Sequence, residues 1–270
     1  MFIGASQLLS SPHVADLAPS LSFAPTLWVS FAIILWLVWA WASNSIMSNP
    51  RGEPGYGLGF WALRTYAHLV HRFTISGLHN LPSGGRLPSR PVIVVVNHTA
   101  GIDPILVQLA CPFEIRWMMG RDMMLPAFDW VWNWLRVIPV DRRSARGDMT
   151  ALRLAIRHLE APHAAIGVFP EGAIAKPRGS LLPFAPGVGL IVAKSNASVL
   201  PILIQDTPNV PEAWQSLWTP SRSRLCILPT VSFPPGTPPA AITQQLRDLF
   251  VASVANSPQA SPTLAHAQPL

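Results

Sequence analysis

The chain has 270 residues, of which half are hydrophobic and only 12% are charged, and its formal net charge is +6. This charged fraction is about half of the ~25% usual in soluble globular domains, so the composition argues against a disordered chain and against an ordinary cytosolic protein. The basic residues are nearly all arginines and are dispersed along the chain, unlike the clustered basic patches of nucleic-acid-binding proteins. An anionic membrane surface or a phosphorylated small substrate fits this charge better.

The longest apolar stretch, residues 24–42 (APTLWVSFAIILWLVWAWA), lies in a segment from 17 to 50 that holds no charged residue. As a helix it would extend about 28 Å at ~1.5 Å per residue, close to the ~30 Å hydrocarbon core of a bilayer. A cleaved signal peptide would need a basic region ahead of it, and no Lys or Arg precedes Arg51. We therefore predict a membrane anchor, either a spanning helix or one that lies in a single leaflet.

The charges around the anchor predict its orientation. Asp16 precedes it, and the first basic side chains all follow it: Arg51, Arg64 and Arg72. The positive-inside rule then places the bulk of the chain in the cytoplasm, at the inner membrane. Residues 58–73 carry an apolar stripe and predict a second helix, which would rest on the lipid headgroups. We expect residues 1–80 to form an N-terminal membrane-anchoring module.

Residues 81–256 alternate between two patterns. Short apolar runs typical of buried strands recur at residues 91–96, 114–118, 137–141, 165–170, 199–204 and 225–228. Segments of helical pattern lie between and after them, at residues 104–110, 126–136, 147–160, 187–195 and 240–255. This alternation indicates an α/β domain with a mostly parallel central sheet flanked by helices, preceded by the N-terminal hydrophobic helix. The Pro- and Ser-rich residues 257–270 predict a disordered tail.

A histidine and a carboxylate follow the first predicted strand. Asn97 and His98 come directly after the PVIVVV run, and Asp103 follows in the spacing His-x4-Asp. Open α/β sheets bind ligands beyond the carboxyl ends of their strands, which is where His98 lies. A carboxylate can orient an imidazole ring and stabilise its protonated form, as a general base requires. The alternative is that Asp103 caps a helix that begins at Pro104.

Two further predicted strands end in polar residues. The block IPVDR ends in Arg142, and the block FPEG ends in Glu171 and Gly172. Because the carboxyl ends of parallel strands meet at one edge of a sheet, we expect His98, Arg142 and Glu171 to face one rim. The alternatives are a surface arginine in a basic patch for Arg142 and an ordinary turn residue for Glu171.

These blocks resemble the glycerolipid acyltransferase family, which includes 1-acylglycerol-3-phosphate (lysophosphatidate) acyltransferase. NHTAGID, IPVDR, FPEGAIA and LPI occur in the family's order over about residues 91–204. The resemblance implies an O-acyltransferase that moves a fatty acyl group from an acyl thioester, either acyl-CoA or acyl-carrier protein, to the hydroxyl of a lysophospholipid. It assigns His98 as general base, Asp103 as its orienting partner and Arg142 as a binder of the acceptor's phosphate. It also implies further acceptor contacts: Asn97, Glu171 and Gly172.

The chain departs from the family at one block. Ala173 and Ile174 stand where the family has Thr and Arg, and Lys176 and Arg178 follow, so these two are expected to contact the acceptor instead. A missing guanidinium removes a bidentate partner for phosphate. This leaves open a non-glycerol lyso-lipid acceptor, such as a lyso-aminolipid, and a non-catalytic lipid-binding protein of the same fold.

The expected mechanism is a single displacement without an enzyme nucleophile, metal or cofactor. The chain has no G-x-S-x-G nucleophile motif. Cys111 and Cys226 have neither metal-ligand spacing nor neighbouring histidines, so they predict neither a zinc site nor a disulfide framework. The expected partners are the thioester donor, the lysolipid acceptor and membrane lipid, with no nucleic acid and no obligate protein partner.

A Trp- and Met-rich region at residues 117–134 has two interpretations. Core packing is the simpler one. The other is a floor for an acyl chain, a role for which flexible methionine side chains are well suited.

Overall fold

The computed structural model describes residues 23–82, 88–142, 148–176, 180–195 and 197–256. The chain divides into two compact units between Asn44 and Ser45. The first unit contains most of helix α1 (Phe23–Met47), and the second contains the sheet and the other helices.

Helix α1 is a single apolar helix. Its residues Thr26–Met47 have a mean hydropathy of 1.7 and are long and apolar enough to cross a membrane. At ~1.5 Å per residue this stretch extends about 33 Å, which matches the ~30 Å hydrocarbon core. The helix agrees with the predicted segment 24–42 and continues a further turn beyond it, so α1 is a candidate membrane anchor.

Among the described residues, seven strands form one sheet in the second unit, in the order β1-β7-β6-β2-β5-β3-β4. Their bounds are β1 Thr74–Ser76, β2 Val92–Val96, β3 Arg116–Gly120, β4 Ile138–Val140, β5 Ala165–Val168, β6 Ser198–Gln205 and β7 Arg224–Ile227. Neighbouring strands are parallel except β6 and β7, which are antiparallel. This confirms the predicted α/β fold with a mostly parallel sheet.

Helices cover both faces of the sheet. Helices α2 (Pro54–Tyr66) and α3 (Asp103–Ala110) supply one core, and helices α5 (Met149–Leu159), α6 (Gly187–Ser195) and α7 (Pro239–Asn256) supply the other. Strand β2 contributes side chains to both cores, because successive side chains of a strand point to opposite faces. Its five residues are fully buried, which explains the uninterrupted apolar run in the sequence. The short helix α4 (Asp129–Trp134) lies between β3 and β4.

The segment before the predicted domain boundary belongs to the α/β unit. The predicted helix at 58–73 starts earlier, at Pro54, and ends in a π-helical turn, Ala67–His71, in which Ala67 and His71 are buried. Strand β1, which the sequence pattern did not predict, pairs with β7. The structure thus divides at Asn44, whereas the predicted boundary lies at residue 80. The predicted tail at 257–270 lies outside the described residues.

A buried histidine, His71, connects the end of α2 to the segment before β7 through hydrogen bonds. The two ring nitrogens of His71 each lie 2.9 Å from a hydroxyl, Nε2 from Tyr66 Oη and Nδ1 from Ser221 Oγ. The Tyr66 hydroxyl also donates to the Leu217 carbonyl. Burial lowers the pKa of His71, so this network is built around the neutral ring.

We predict that the fold weakens in acid through His71. Because the pKa of His71 is lower in the folded chain than its ordinary value of 6.5, the unfolded chain binds a proton first as the pH falls. The free energy of unfolding should therefore decrease below about pH 6.5. Denaturant titrations of the full chain in detergent, from about pH 8 to 5, should show a smaller decrease for His71→Gln than for wild type. The exposed His79 supplies the control His79→Gln, and equal pH dependence in wild type and His71→Gln would contradict the prediction.

Candidate active site

The carboxylate of Asp103 organises the loop between β2 and α3. Its Oδ2 atom accepts from the ring Nδ1 of His98 (2.9 Å) and from the backbone N–H groups of Thr99 (2.6 Å) and Ala100 (2.8 Å). Both backbone donors precede Asp103, and the helix-cap position is occupied by Ile102, so the alternative in which Asp103 caps α3 is wrong. Asp103 is fully buried.

These contacts define the tautomer of His98. Because Asp103 Oδ2 already accepts from two backbone N–H groups, it acts as an acceptor toward His98 too. The hydrogen of the neutral ring therefore lies on Nδ1, and Nε2 keeps a lone pair. The ring is also held from its face, because it stacks on Phe169 with ring centroids 4.2 Å apart, and Phe169 stacks on Trp117 at 5.1 Å. The His98 side chain is 18% exposed.

Glu171, just after β5, supports the backbone of the histidine loop. Its Oε1 accepts from the N–H of His98 (2.7 Å), and its Oε2 accepts from the N–H of Leu182 (2.8 Å). Burial raises the pKa of Glu171, although the two N–H donors act in the opposite direction. The next residue, Gly172, has φ +67° and its N–H donates to the Phe169 carbonyl, which closes a turn in the left-handed conformation that favours glycine.

Asn97 supports the same loop from the other side. Its side-chain Nδ2 donates to the Ile204 carbonyl (3.0 Å), and its Oδ1 accepts from the Ile204 N–H (2.8 Å). Since Ile204 is in β6, the loop is tied to both strands that flank β2. Asn97 is buried and does not line the cavity described below.

Arg142, just after β4, is held in place by two partners. Its Nε and Nη2 atoms donate to the two carboxylate oxygens of Asp122 (3.1 and 2.5 Å), and its Nη1 donates to the Gly172 carbonyl (2.6 Å). Arg142 is therefore joined to the turn that carries Glu171. Asp122 was not predicted from the sequence, although it follows β3 at the same edge of the sheet and the rule that located His98 applies to it.

A cavity of about 820 Å³ opens at this edge of the sheet, within the usual range for small-molecule sites. The predicted site residues that line it are His98, Arg142, Glu171, Gly172 and Lys176. Asp103 lies behind His98, in contact with its ring. Lys176 donates from Nζ to the Pro211 carbonyl (3.1 Å), and Arg178 lies outside the described residues.

Much of the cavity wall is apolar. Four members of the predicted Trp- and Met-rich region line it: Trp117, Met118, Met119 and Met123. Trp214, which no sequence pattern indicated, also lines the cavity. Trp130 is 71% exposed and takes no part in the wall. The cavity thus combines a polar edge that carries the histidine with a surface suited to a hydrocarbon chain.

Comparison with known proteins identifies relatives of the α/β unit. A family model described as acyltransferase matches residues 72–205, a stretch that contains His98, Asp103, Arg142 and Glu171. A chloroplastic 1-acyl-sn-glycerol-3-phosphate acyltransferase of Brassica napus is 29% identical over 141 residues, or 52% of this chain and 39% of that protein. The alpha form of the same enzyme from Ovis aries is 24% identical over 161 residues, or 59% of this chain and 54% of that protein. The chain thus spans about half or less of the length of these relatives.

A solved structure shares the fold. The crystal structure of the 1-acyl-sn-glycerophosphate acyltransferase PlsC from Thermotoga maritima matches with a TM-score of 0.57 at 20% sequence identity. The match covers 74% of this chain and 80% of that one.

We predict that Glu171→Gln destabilises the fold. Both carboxylate oxygens accept from backbone N–H groups, and an amide replaces one of those oxygens with a donor. One buried N–H group would lose its partner, which lowers the free energy of unfolding by about 1–3 kcal/mol. Denaturant unfolding should show this loss for Glu171→Gln but not for Glu160→Gln, whose side chain is on the surface. Equal stability of the two variants would contradict the proposal that the Glu171 carboxylate stabilises the loop of His98.

Proposed function

We propose that the chain is a member of the glycerolipid acyltransferase family and an O-acyltransferase that acts on lysophospholipids. It transfers a fatty acyl group from an acyl thioester, on CoA or on an acyl-carrier protein, to the free hydroxyl of an acceptor of the 1-acylglycerol-3-phosphate type. The observation that carries the proposal is the His98–Asp103 pair at the edge of a large, mostly apolar cavity.

His98 acts as the general base in this proposal. Its Nε2 atom accepts the proton of the acceptor hydroxyl while the hydroxyl oxygen attacks the thioester carbonyl. Asp103 holds the ring through Nδ1 and stabilises the imidazolium that forms. As the tetrahedral intermediate collapses, the new C–O bond remains, the C–S bond breaks, and the proton passes from His98 to the departing thiolate. The reaction requires no enzyme nucleophile, metal or cofactor.

The acceptor head group binds on the Arg142 side of the cavity. Arg142 retains N–H donors beyond the three that its described contacts use, and Lys176 lines the same cavity. Arg178 completes the proposed set of cations. Glu171 and Gly172 are positioning residues in this proposal. The Glu171 carboxylate accepts from the backbone N–H of His98, and the Gly172 carbonyl accepts from the guanidinium of Arg142.

The acyl chain lies along the apolar wall. Methionine side chains such as Met118 and Met123 adapt their shape to a flexible chain, and Trp117 packs behind the histidine through Phe169. The substrates would therefore meet with their reactive groups at His98 and their hydrocarbon parts away from the polar edge.

We further propose that α1 anchors the protein in the inner membrane. Thr26–Met47 has the length and hydropathy for a spanning or single-leaflet helix. The basic residues that follow it, beginning with Arg51, support a cytoplasmic α/β unit by the positive-inside rule.

Release of free thiol from an acyl thioester tests this function. The purified full chain, offered a panel of lysolipids, should release thiol only when a suitable acceptor is present. His98→Ala should lower this rate on the order of 100- to 10,000-fold because the general base is lost. His79→Ala, which changes an exposed histidine, should retain the wild-type rate. Undiminished release by His98→Ala, or no acceptor-dependent release with any lysolipid, would contradict the proposal.

A further inference from the structure

Three aromatic rings stack across three neighbouring strands next to the cavity. Trp117 is in β3, Phe169 follows β5, and His98 follows β2. The ring centroids of Trp117 and Phe169 lie 5.1 Å apart with planes inclined by 15°, and those of Phe169 and His98 lie 4.2 Å apart with planes inclined by 22°. Asp103 holds the edge of the imidazole and Glu171 holds its backbone, whereas the stack supports its face.

The position of the first ring depends on a glycine. Gly167 lies directly opposite Trp117 in the pairing of β3 with β5. A β-carbon at Gly167 would lie 2.5 Å from Cζ3 and 2.7 Å from Cδ2 of the indole, and it would also meet Cε3. Carbon atoms in favourable contact are about 3.5–4.0 Å apart. The indole therefore occupies the space that a side chain at position 167 would fill.

Packing holds the indole of Trp117 in this space. Its ring N–H is buried and has no hydrogen-bond partner among the described residues, although buried polar groups are generally paired. Trp117 and Phe169 both pack against the core that α2 and α3 supply. Because no described hydrogen bond fixes the indole, its location is determined by the surfaces it touches, and the glycine of β5 is one of them.

We propose that Gly167 and Trp117 are positioning residues for the imidazole of His98. In the proposed function, on which this inference rests, Nε2 of His98 must lie beside the acceptor hydroxyl. A β-carbon at position 167 displaces the indole, either toward Phe169 or into the cavity. Either movement changes the surface against which the imidazole stacks, and a displacement of about 1 Å between reacting groups can cost about 100-fold in rate.

Gly167→Ala tests this role. At saturating donor and acceptor, kcat should fall by about 10- to 100-fold. The loss should be the same with a short-chain and a long-chain acyl thioester, because His98 serves both. A loss confined to the long-chain donor would overturn the inference, since Trp117 would then act only as part of the apolar wall.

The chain offers a matched control in Gly77, which does not line the cavity. Its φ is +75°, and a β-carbon there would clash with the Ile227 carbonyl, so Gly77→Ala also destabilises the fold. The folded fraction of Gly77→Ala should nevertheless retain the wild-type kcat.

A second variant separates the indole from the backbone of β5. Trp117→Leu removes the ring that a β-carbon at Gly167 would meet, so Gly167→Ala should have little further effect on kcat in that background. If Gly167→Ala alone does not fold, the double variant should fold and match Trp117→Leu. An undiminished effect of Gly167→Ala in the Trp117→Leu background would overturn the inference, because the glycine would then be needed by the backbone itself.

A spectroscopic measurement separates this inference from the proposed function. The ring current of Phe169 shifts the NMR signals of the His98 ring protons, because the two rings are stacked. These signals can be recorded on the full chain in detergent with isotope-labelled histidine and assigned with His98→Gln. Gly167→Ala should move them and Gly77→Ala should not. Unchanged signals in Gly167→Ala would overturn the inference, whereas moved signals support it even in a chain that acylates no lysolipid, a result that would contradict the proposed function alone.

Discussion

The buried carboxylate of Asp103 is the constraint on which the site depends. A charge removed from water is costly unless hydrogen bonds replace its hydration, and Asp103 is fully buried. Its Oδ2 atom obtains those bonds from His98, Thr99 and Ala100, so the loop must wrap around the start of α3. The same wrapping places the ring of His98 against the carboxylate and leaves Nε2 as its basic atom. The hydrogen bonds that stabilise the buried carboxylate of Asp103 thus also orient His98 as a general base.

The sheet explains how this loop is kept in place. Strand β2 lies between β5 and β6, and one side chain ties the loop to each neighbour. Asn97 bonds to the backbone of β6, and Glu171 reaches the His98 N–H from the turn after β5. Arg142 extends the network to the end of β4 through the Gly172 carbonyl. Because all of these groups follow parallel strands, the sheet brings them together at one edge.

Much of this could be predicted from the sequence, and the limits have physical causes. The fold class and most elements were predictable because β2, β5 and β6 are buried apolar runs and α6 has a clear helical pattern. Strand β1 is the tripeptide Thr-Ile-Ser, which has a single apolar residue and so gives no apolar run, and its pairing with β7 depends on a partner about 150 residues later. The gathering of His98, Arg142 and Glu171 at one rim followed from parallel strand ends. The strand ends did not predict the Asp122–Arg142 pair or the inward-facing amide of Asn97. Side-chain pairing of this kind depends on tertiary contacts that residue spacing does not encode.

The substitution Asp103→Asn tests most directly whether Asp103 enables His98 to act as a general base. An amide in this position keeps the size of the side chain but removes the charge that stabilises the imidazolium and fixes the tautomer. With circular dichroism to confirm that the variant is folded, acceptor-dependent thiol release should be measured across pH 6–9. We predict that kcat falls on the order of 1000-fold or more, with little change in the KM of the acceptor. A folded Asp103→Asn variant with kcat within about tenfold of wild type would contradict it.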